Sequence, residues 1–488
     1  MSFRTSALIL CIALAPAAGV AQPDFDRYGK PVEPAPADPA IQKALAAIDA
    51  SRIEQTIKTL VGFGTRNTLT SMETGLAPGQ GIEAAADWIA AQFERISQEC
   101  GGCLEVKRDT FTADPASGES WAKRIPRPTR ITNVYAILRG SDPAQAKRMY
   151  LVSGHYDSIN SRVFKNWADT SGAAPGANDD ASGVAVSLEC ARALSKLHSP
   201  ATLVFAAVAA EEQGLVGSAH LARLARREGW QIEAMLNNDI VGGNTTPGDM
   251  LQLKDRVRVF SEGVPAAATP EQARRIRGLG EENDSPSRQL ARAIADTDRT
   301  YFASSGAEFR AFLVDRPDRY GRGGDHTSFN REGFAAVRFT EWREDFNHQH
   351  QDVVRQPSGS NDPVLGDLPE FVDFNYVAKV ARLNAAVLGA LAGSPGQPGN
   401  VVIDAQKLEN GTTLLWDPAP GKVDHYEVLW RETTAPEWQH IEGVPPQQAG
   451  GPVTFTLPVS KDNVVFGVRA VDSAGHRGLA VSPEPPER

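Results

Sequence analysis

Val204-Phe-Ala-Ala-Val-Ala-Ala210 is an uninterrupted apolar run, and it is followed directly by Glu211-Glu212-Gln-Gly214. Apolar residues at consecutive positions predict a strand that is buried on both faces, as in a sheet covered by helices on each side. Two adjacent carboxylates at the end of such a strand are costly to keep charged unless a partner compensates them, and cations do this well. The stretch therefore predicts an α/β fold with a charged site at the end of this strand.

Strands and helices alternate on both sides of this stretch. The apolar patterns predict strands over Ile131–Leu138, Met149–Ser153 and Thr202–Ala209, and helices over 81–97, around Val184–Leu194 and from about 369 to 392. This alternation predicts a three-layer α/β/α domain with a mostly parallel central sheet. Residues 241–320 are polar and irregular, and we expect them to form a functional insertion or the rim of a site.

The composition changes near residue 393. Gly393-Ser-Pro-Gly-Gln-Pro-Gly399 has the composition of a linker, and the short alternating strands beyond it predict a small all-β sandwich. This sandwich resembles a fibronectin type III domain in Thr413-Leu-Leu-Trp416-Asp-Pro and in Val465-Phe-Gly-Val-Arg-Ala-Val-Asp-Ser-Ala-Gly475. The sequence does not indicate its partner. The predicted division is a signal peptide over 1–21, an N-terminal tether over 22–44, a catalytic domain over 45–393, a linker over 394–399 and the sandwich over 400–488.

The N-terminus indicates export. Arg4 precedes the apolar run Ala7–Leu14, and Gly19-Val20-Ala21 forms a small-residue cleavage site before Gln22. We expect a periplasmic or extracellular protein that is not bound to a membrane after signal removal; an uncleaved anchor is the alternative. The net charge of −10 over 488 residues gives no general reason to bind nucleic acid or an anionic membrane.

Three cysteines remain after signal removal. In an oxidising compartment Cys100-Gly-Gly-Cys103 can close a small disulfide, because the two glycines allow a tight turn. A redox-active or metal-binding CxxC is the alternative, but a second CxxC that would complete a zinc site is absent from the sequence. Cys190 lies on an apolar helix face, and we expect a buried free thiol there.

Five segments place acids or histidines beside a strand end or a glycine-rich turn. Sites in open α/β sheets form at the carboxyl ends of the strands, so these side chains are expected to converge. Imidazole and carboxylate ligands without cysteine suit zinc. The segments are Val152-Ser-Gly-His155-Tyr-Asp157, Ala177-Asn-Asp179-Asp180, Glu211-Glu212, Leu236-Asn-Asn-Asp239, and the pair Gly324-Asp325-His326 and Phe346-Asn-His348-Gln-His350-Gln-Asp352.

In their order these segments resemble the co-catalytic di-zinc aminopeptidase family, which includes secreted leucyl aminopeptidases, over roughly residues 45 to 393. The resemblance implies two Zn²⁺ per catalytic domain and peptide substrates. It implies that His155 binds one zinc and is oriented by Asp157, and that Asp179 bridges both ions. It also implies that Glu211 is the general base, that Glu212 is a zinc ligand, and that Asp239 is a ligand to the other zinc.

The remaining positions are less directly implied. The family's His-x-x-x-Asp spacing selects His348 with Asp352 as the last metal ligand, and His350 is the competitor. Asp325-His326 resembles the family's Ser-Asp-His element, for which we expect a pocket role. Some relatives carry a tyrosine before the final histidine to stabilise the oxyanion, but Asn347 precedes His348 here. Tyr320 or His326 is then expected to supply the oxyanion donor.

The sequence as a whole thus predicts an exported zinc aminopeptidase. Within the same fold the alternatives are a carboxypeptidase, for which Arg288, Arg319 or Arg322 would bind the substrate carboxylate, another exopeptidase, and a single-zinc glutaminyl cyclase. From a different class, the alternative is an inactive binding or adhesion protein whose sandwich is its working part. A serine hydrolase is disfavoured because no GxSxG elbow is present.

Overall fold

The structure is a computed structural model and describes residues 28–303, 309–355, 362–447 and 451–486. The predicted signal peptide lies outside these residues. The described helices are α1 Pro39–Ala46, α2 Ala50–Gly62, α3 Gly81–Glu99, α4 Ala181–Leu194, α5 Val216–Arg227, α6 Pro270–Leu279, α7 Pro286–Tyr301, α8 His326–Arg331 and α9 Phe374–Gly393. The first nine strands are β1 Lys30–Pro31, β2 Leu104–Ala113, β3 Thr129–Leu138, β4 Arg148–His155, β5 Thr202–Val208, β6 Gln231–Asn238, β7 Arg256–Ser261, β8 Arg310–Val314 and β9 Ala336–Thr340. The remaining strands are β10 Gly399–Ile403, β11 Thr412–Asp417, β12 His425–Glu432, β13 His440–Val444, β14 Val453–Leu457 and β15 Val464–Val471.

The predicted α/β fold is confirmed. An eight-stranded sheet has the order β2-β3-β5-β4-β6-β9-β7-β8, and its central strands β5, β4, β6 and β9 are parallel. Strands β2 and β3 extend the sheet in antiparallel fashion on one side, and β7 is antiparallel to β9 on the other. The carboxyl ends of the four central strands therefore lie along one edge.

Strand β5 shows why the apolar run of the sequence is continuous. Leu203, Phe205 and Ala207 belong to the core that contains α4 and α9, whereas Val204 and Ala206 pack in the core that contains α5 and α8. Successive side chains of a strand point to opposite faces, so a strand covered on both sides must be apolar at every position. The sheet is the middle one of three layers.

Residues 241–320 are more regular than the sequence suggested. They contain β7, α6, α7 and β8, and the two strands continue the central sheet beyond β9. The expectation of a long irregular stretch was wrong. Helix α7 carries many polar residues, and two of them form ion pairs with the C-terminal sandwich, Asp296 with Arg469 and Arg299 with Glu437.

The C-terminal residues form two antiparallel sheets with a shared core. The sheets have the orders β1-β13-β12-β15 and β10-β11-β14, and Leu414 and Trp416 of one sheet pack with Val428 and Phe466 of the other. Strand β1 comes from the N-terminal stretch that the sequence marked as a tether, and it pairs with β13 in antiparallel register. The stretch is therefore not a free tether, because β1 pairs with the sandwich and α1, which begins within it, packs on α9 and α4.

Two further features concern the cysteines and the membrane. Cys100 and Cys103 form a disulfide with a Cα–Cα distance of 5.6 Å, and Cys190 is a buried free cysteine. Among the described residues, no helix combines the length and apolarity needed to cross a membrane.

Buried ion pairs join the sandwich to the catalytic domain. Asp284, just before α7, accepts two hydrogen bonds from Arg431 of β12 at 2.8 and 2.9 Å, and one from Arg292 of α7 at 3.2 Å. Arg469 of β15 donates to Asp296 of α7 at 2.6 Å. Since these side chains are largely removed from water, the loss of one partner leaves an uncompensated buried charge.

Replacing Asp284 tests this interface. We expect Asp284→Ala to lower the free energy of unfolding by about 3–5 kcal/mol, because Arg431 and Arg292 lose their shared carboxylate. The measurement is urea denaturation. The control is Glu54→Ala, which removes a pair with Lys58 that is exposed at both side chains and is expected to change stability by less than about 0.5 kcal/mol. Equal denaturation midpoints for the two variants would contradict the expectation.

Candidate metal centre

Acidic and imidazole side chains converge at the carboxyl edge of the central sheet. His155 is the last residue of β4, Glu211 and Glu212 follow β5, and Asp239 follows β6. Asp179 lies two residues before α4 and reaches the same edge. The structure thus brings together residues that are separated by up to 84 positions in the sequence, because parallel strands end side by side.

Two groups of side chains share Asp179. Its Oδ1 atom lies 3.1 Å from Nε2 of His155, and its Oδ2 atom lies 2.8 Å from Nε2 of His350. His155 also faces Asp239 at 3.9 Å, and His350 also faces Oε1 of Glu212 at 2.9 Å. Each group offers ligand atoms that all lie within 4.8 Å of one another. Asp179 is therefore placed between two sets of three candidate ligands.

The selection of His348 from the His-x-x-x-Asp spacing is contradicted by the structure, which brings His350 to the cluster instead. His348 faces Thr246 Oγ1 at 3.0 Å and the carbonyl oxygen of Val364 at 3.2 Å, and its ring stacks on Phe371. His350 has a φ of 54°, a left-handed conformation that is uncommon for residues other than glycine. Sequence spacing carries no information about such a turn.

Asp157 supports two parts of the cluster. Its carboxylate accepts hydrogen bonds from the backbone N–H groups of Glu211 at 3.1 Å and Glu212 at 3.2 Å. Nδ1 of His155 faces the carbonyl oxygen of Asp157 at 3.2 Å and its carboxylate at 3.5 Å. Because both neighbours of Nδ1 are acceptors, a proton on Nδ1 satisfies them and would leave the lone pair of Nε2 for a cation between His155, Asp179 and Asp239. This is the tautomer that a metal ligand requires.

Asp179 and Asp180 have different roles, although they are adjacent. Asp180 caps α4 by accepting from the N–H of Gly183 at 2.9 Å, and it also accepts from the N–H of His155 at 3.0 Å and of Ile240 at 3.3 Å. The peptide bond between the two aspartates is cis. The carboxylate of Asp180 therefore holds together the backbones of α4, β4 and the segment after β6. The carboxylate of Asp179 forms none of these hydrogen bonds and faces the histidines.

Two supporting residues were missed by the sequence reasoning. Asp367 accepts hydrogen bonds from the N–H groups of Asn178 and Asp179, both at 2.7 Å, and burial raises its pKa to about 7. Arg66 has no exposed surface and donates to the carbonyl oxygens of Pro175 at 2.6 Å and Gly176 at 2.8 Å. Both side chains hold the loop that carries Asp179. Neither is part of a motif, so the sequence contained no signal for them.

Glu211 lies beside the cluster and is partly exposed. Burial of the carboxylate raises its pKa well above the ordinary value, and the neighbouring carboxylates of Asp239 and Glu212 act in the same direction. A carboxylate with a raised pKa is suited to accept and return a proton near neutral pH.

The residues expected to bind the oxyanion are not at the cluster. His326 is buried and its Nε2 faces the carbonyl oxygen of Pro317 at 2.8 Å; burial lowers its pKa to about 4. Tyr320 is 84% exposed and lies under Arg316. With His350 in the cluster, the preceding residue is Gln349 rather than Asn347, and Nε2 of Gln349 donates to Asp179 at 3.0 Å.

The arrangement fits a cation. Oε1 of Glu212 and Nε2 of His350 are buried and lie 2.9 Å apart, but neither atom forms a hydrogen bond of acceptable geometry among the described residues. Buried polar atoms are rarely left unpaired, and a cation that accepts lone pairs from both would satisfy them. Nitrogen and carboxylate oxygen donors without sulfur are a ligand set that zinc accepts.

The two histidines provide a direct test. We expect His350→Ala to abolish binding of one of two divalent cations, because it removes a ligand atom from the set with Asp179 and Glu212. The matched control His348→Ala is expected to keep both cations, since His348 lies outside the cluster. The measurement is metal content after dialysis against a cation at controlled free concentration. Loss of a cation in His348→Ala with retention in His350→Ala would contradict this assignment.

Comparison with known proteins is consistent with this geometry. Residues 133–367 match the sequence profile of Peptidase family M28. A probable zinc metalloprotease of Pyricularia oryzae is 45% identical over 458 residues, which cover 92% of this chain and 85% of that protein. A probable zinc metalloprotease of Leptosphaeria maculans is 42% identical over 456 residues, which cover 93% of this chain and 99% of that protein.

Among solved structures, the Legionella pneumophila LapA aminopeptidase matches with a TM-score of 0.47 and 19% identity, over 72% of this chain and 74% of that chain. The identity to the two metalloproteases extends over almost the whole sequence. The chain belongs to peptidase family M28.

Proposed function

We propose that the protein is an exported aminopeptidase that uses two zinc ions and the base Glu211 to remove N-terminal residues from peptides. The observation that carries the proposal is the position of Asp179, whose two carboxylate oxygens face two separate histidines. A carboxylate in this position is suited to hold two cations close together, as hydrolytic two-metal sites require. The two relatives described as probable zinc metalloproteases support zinc as the cation.

The cluster consists of two sets of candidate ligands, one for each ion. His155, Asp179 and Asp239 would hold one ion, and Asp179, Glu212 and His350 the other. When bound, zinc acidifies a water molecule and polarises the carbonyl group of the scissile bond. Three protein ligands per ion leave positions open for water and substrate, which distinguishes a catalytic zinc site from a closed structural one.

Glu211 performs the proton transfers. Its carboxylate accepts a proton from the attacking water and later gives it to the nitrogen of the leaving peptide. The backbone of Glu211 is fixed by Asp157, which also orients His155. The base and one set of ligands are thus positioned by the same carboxylate. Gln349, whose side chain already donates to Asp179, is the nearest amide donor for the developing oxyanion.

The charges around the cluster favour an aminopeptidase over a carboxypeptidase. Two arginines that were candidates for binding a substrate carboxylate are already paired, Arg288 with Asp315 and Arg319 with Asp318 and Glu344. Only Arg322 of the three candidates has no ion pair among the described residues. The presence of both ligand sets favours two ions, which argues against a single-zinc glutaminyl cyclase and against an inactive adhesion protein.

Export and the identity of the sandwich are parts of the same proposal. The N-terminal signal pattern supports secretion, and a disulfide between Cys100 and Cys103 is compatible with an oxidising compartment. The motifs around Trp416 and Phe466 support a fibronectin type III-like domain, and both residues lie in the core of the sandwich.

The activity is tested with aminoacyl-nitroanilides and their N-acetylated counterparts. We expect hydrolysis of the free-amine substrates only, because the α-amine must be recognised at the metal centre, and we expect chelators to abolish it and zinc to restore it. Preferential cleavage of acetylated substrates or of C-terminal residues would contradict the aminopeptidase assignment while leaving the metal centre in place.

The role of Glu211 gives a separate prediction. Glu211→Gln removes the base but none of the ligands, so we expect kcat to fall by about 10²–10⁴-fold or more with both zinc ions retained. Glu212→Gln is the matched control next to it and is expected to lose one zinc ion. The measurements are steady-state kinetics and zinc content of the same samples. Full activity in the Glu211→Gln variant with two zinc ions bound would refute the assignment.

A further inference from the structure

The two ligand sets differ in their charged surroundings. Arg338 of β9 has no exposed surface, and its Nη2 lies 2.9 Å from Oδ1 of Asp239. Its Nη1 contacts Asp318 at 3.3 Å and donates to the carbonyl oxygen of Gly323 at 2.6 Å. A permanently charged guanidinium is thus held against one of the carboxylates of the set that contains His155.

The other set has no such neighbour. Among the described residues, the carboxylates of Asp179 and Glu212 form ion pairs with histidines only. Arg124 approaches Glu212, but it donates to the backbone oxygen at 3.2 Å and not to the carboxylate. Among the described residues, the carboxylate of Glu212 therefore meets no arginine or lysine, whereas that of Asp239 meets Arg338.

The contact between Arg338 and Asp239 is enforced by packing. A Cβ atom at Gly324 would lie 2.7 Å from Nη1 of Arg338 and 3.3 Å from Oδ2 of Asp239, so the glycine lets the loop close over both side chains. Asp318 balances the second side of the guanidinium and is itself paired with Arg319 at 3.1 Å. Arg338 is consequently fixed between two acids, one at the metal centre and one outside it.

We propose that Arg338 is a positioning residue that makes the two metal positions unequal. It withdraws negative charge from Asp239, so the position formed by His155, Asp179 and Asp239 holds its ion more weakly than the position formed by Asp179, Glu212 and His350. Because Asp239 then donates less charge to its ion, that ion is the stronger Lewis acid. The inference rests on the proposed function in one respect, namely that the cluster binds two zinc ions.

The physical reason is a competition for one carboxylate. A guanidinium and a zinc ion both draw on the electron pairs of Asp239, and the two cations repel each other across it. Partners of a metal ligand typically change metal affinity by about 10–100-fold. A partner that only holds a ligand in place increases affinity, whereas a cation that competes for it decreases affinity. The sign of the effect separates the two roles.

Zinc titration with a competing chelator tests the inference in the full-length protein. For the wild type we expect two dissociation constants that differ by at least about tenfold. Asp239→Asn is expected to remove the weaker step and Glu212→Gln the tighter one. Arg338→Gln is expected to tighten the weaker step by about tenfold and leave the tighter step unchanged, while kcat falls. Arg338→Lys keeps the charge and is expected to keep two unequal constants.

Asp318→Asn provides the opposite change. Without the carboxylate of Asp318, the guanidinium of Arg338 interacts with Asp239 alone, and we expect the weaker zinc step to become weaker by several-fold. Structural damage would weaken zinc binding in both variants, so opposite signs for Arg338→Gln and Asp318→Asn support the electrostatic role. Circular dichroism verifies that each variant is folded. If Arg338→Gln is not folded, the test is whether the weakening in Asp318→Asn is confined to the weaker step, because damage to the shared ligand Asp179 would weaken both steps.

The results that would overturn this inference differ from those that would overturn the proposed function. Three results would overturn the inference and leave the proposed function intact. They are weaker zinc binding in Arg338→Gln, tighter binding at the weaker step in Asp318→Asn, and loss of the tighter step in Asp239→Asn. Two equal zinc dissociation constants in the wild type would also overturn the inference and leave the proposed function intact. A wild-type protein that binds no zinc would overturn the proposed function and the inference together.

Discussion

Buried negative charge at one edge of a sheet is the constraint on which the site depends. The carboxylates there that are each less than 7% exposed include Asp157, Asp179, Asp180, Glu212, Asp239 and Asp367. So much negative charge cannot be removed from water without compensation. The structure compensates this charge either with backbone N–H groups or with histidines and an arginine. Acids of the first kind are structural, and acids of the second kind are free to bind a cation.

The first group of acids is satisfied by backbone N–H groups. Asp157, Asp180 and Asp367 each accept at least two such hydrogen bonds, and they fix the segments that carry Glu212, His155 and Asp179. The second group consists of Asp179, Glu212 and Asp239, which face histidines and one arginine. The first group positions the second, so the geometry of the candidate ligands is determined by main-chain hydrogen bonds and not by the ligands themselves. Such pre-organisation is what a metal centre needs.

The C-terminal sandwich is connected to this arrangement through α7. Asp296 of that helix pairs with Arg469 of the sandwich, and Asp284 just before the helix pairs with Arg431. The helix also packs on β7, β8 and β9. Strand β9 carries Arg338, and the loop after β8 carries Asp318. The sandwich is thus attached to the part of the catalytic domain that borders one ligand set, and the N-terminal strand β1 extends one of its sheets.

Much of this could be predicted from the sequence, and the failures have physical reasons. The apolar run ending at Glu211 predicted the sheet, and acids after three such strands predicted where they converge, because parallel strands end together. His350 was not selected, since its place depends on one left-handed residue in a loop. Strands β7 and β8 were missed because they are only six and five residues long and lie within a polar stretch of sequence. Asp367 and Arg338 act through contacts that connect distant positions, which periodicity does not record.

The central claim is that Asp179 lies between two zinc ions. Its most direct test is an anomalous difference map from a crystal grown with zinc, using data collected on both sides of the zinc absorption edge. We expect two zinc peaks, one next to His155 and Asp239 and the other next to Glu212 and His350, with Asp179 within coordinating distance of both. A map without these peaks, or with a peak bound by His348 instead of His350, would contradict it.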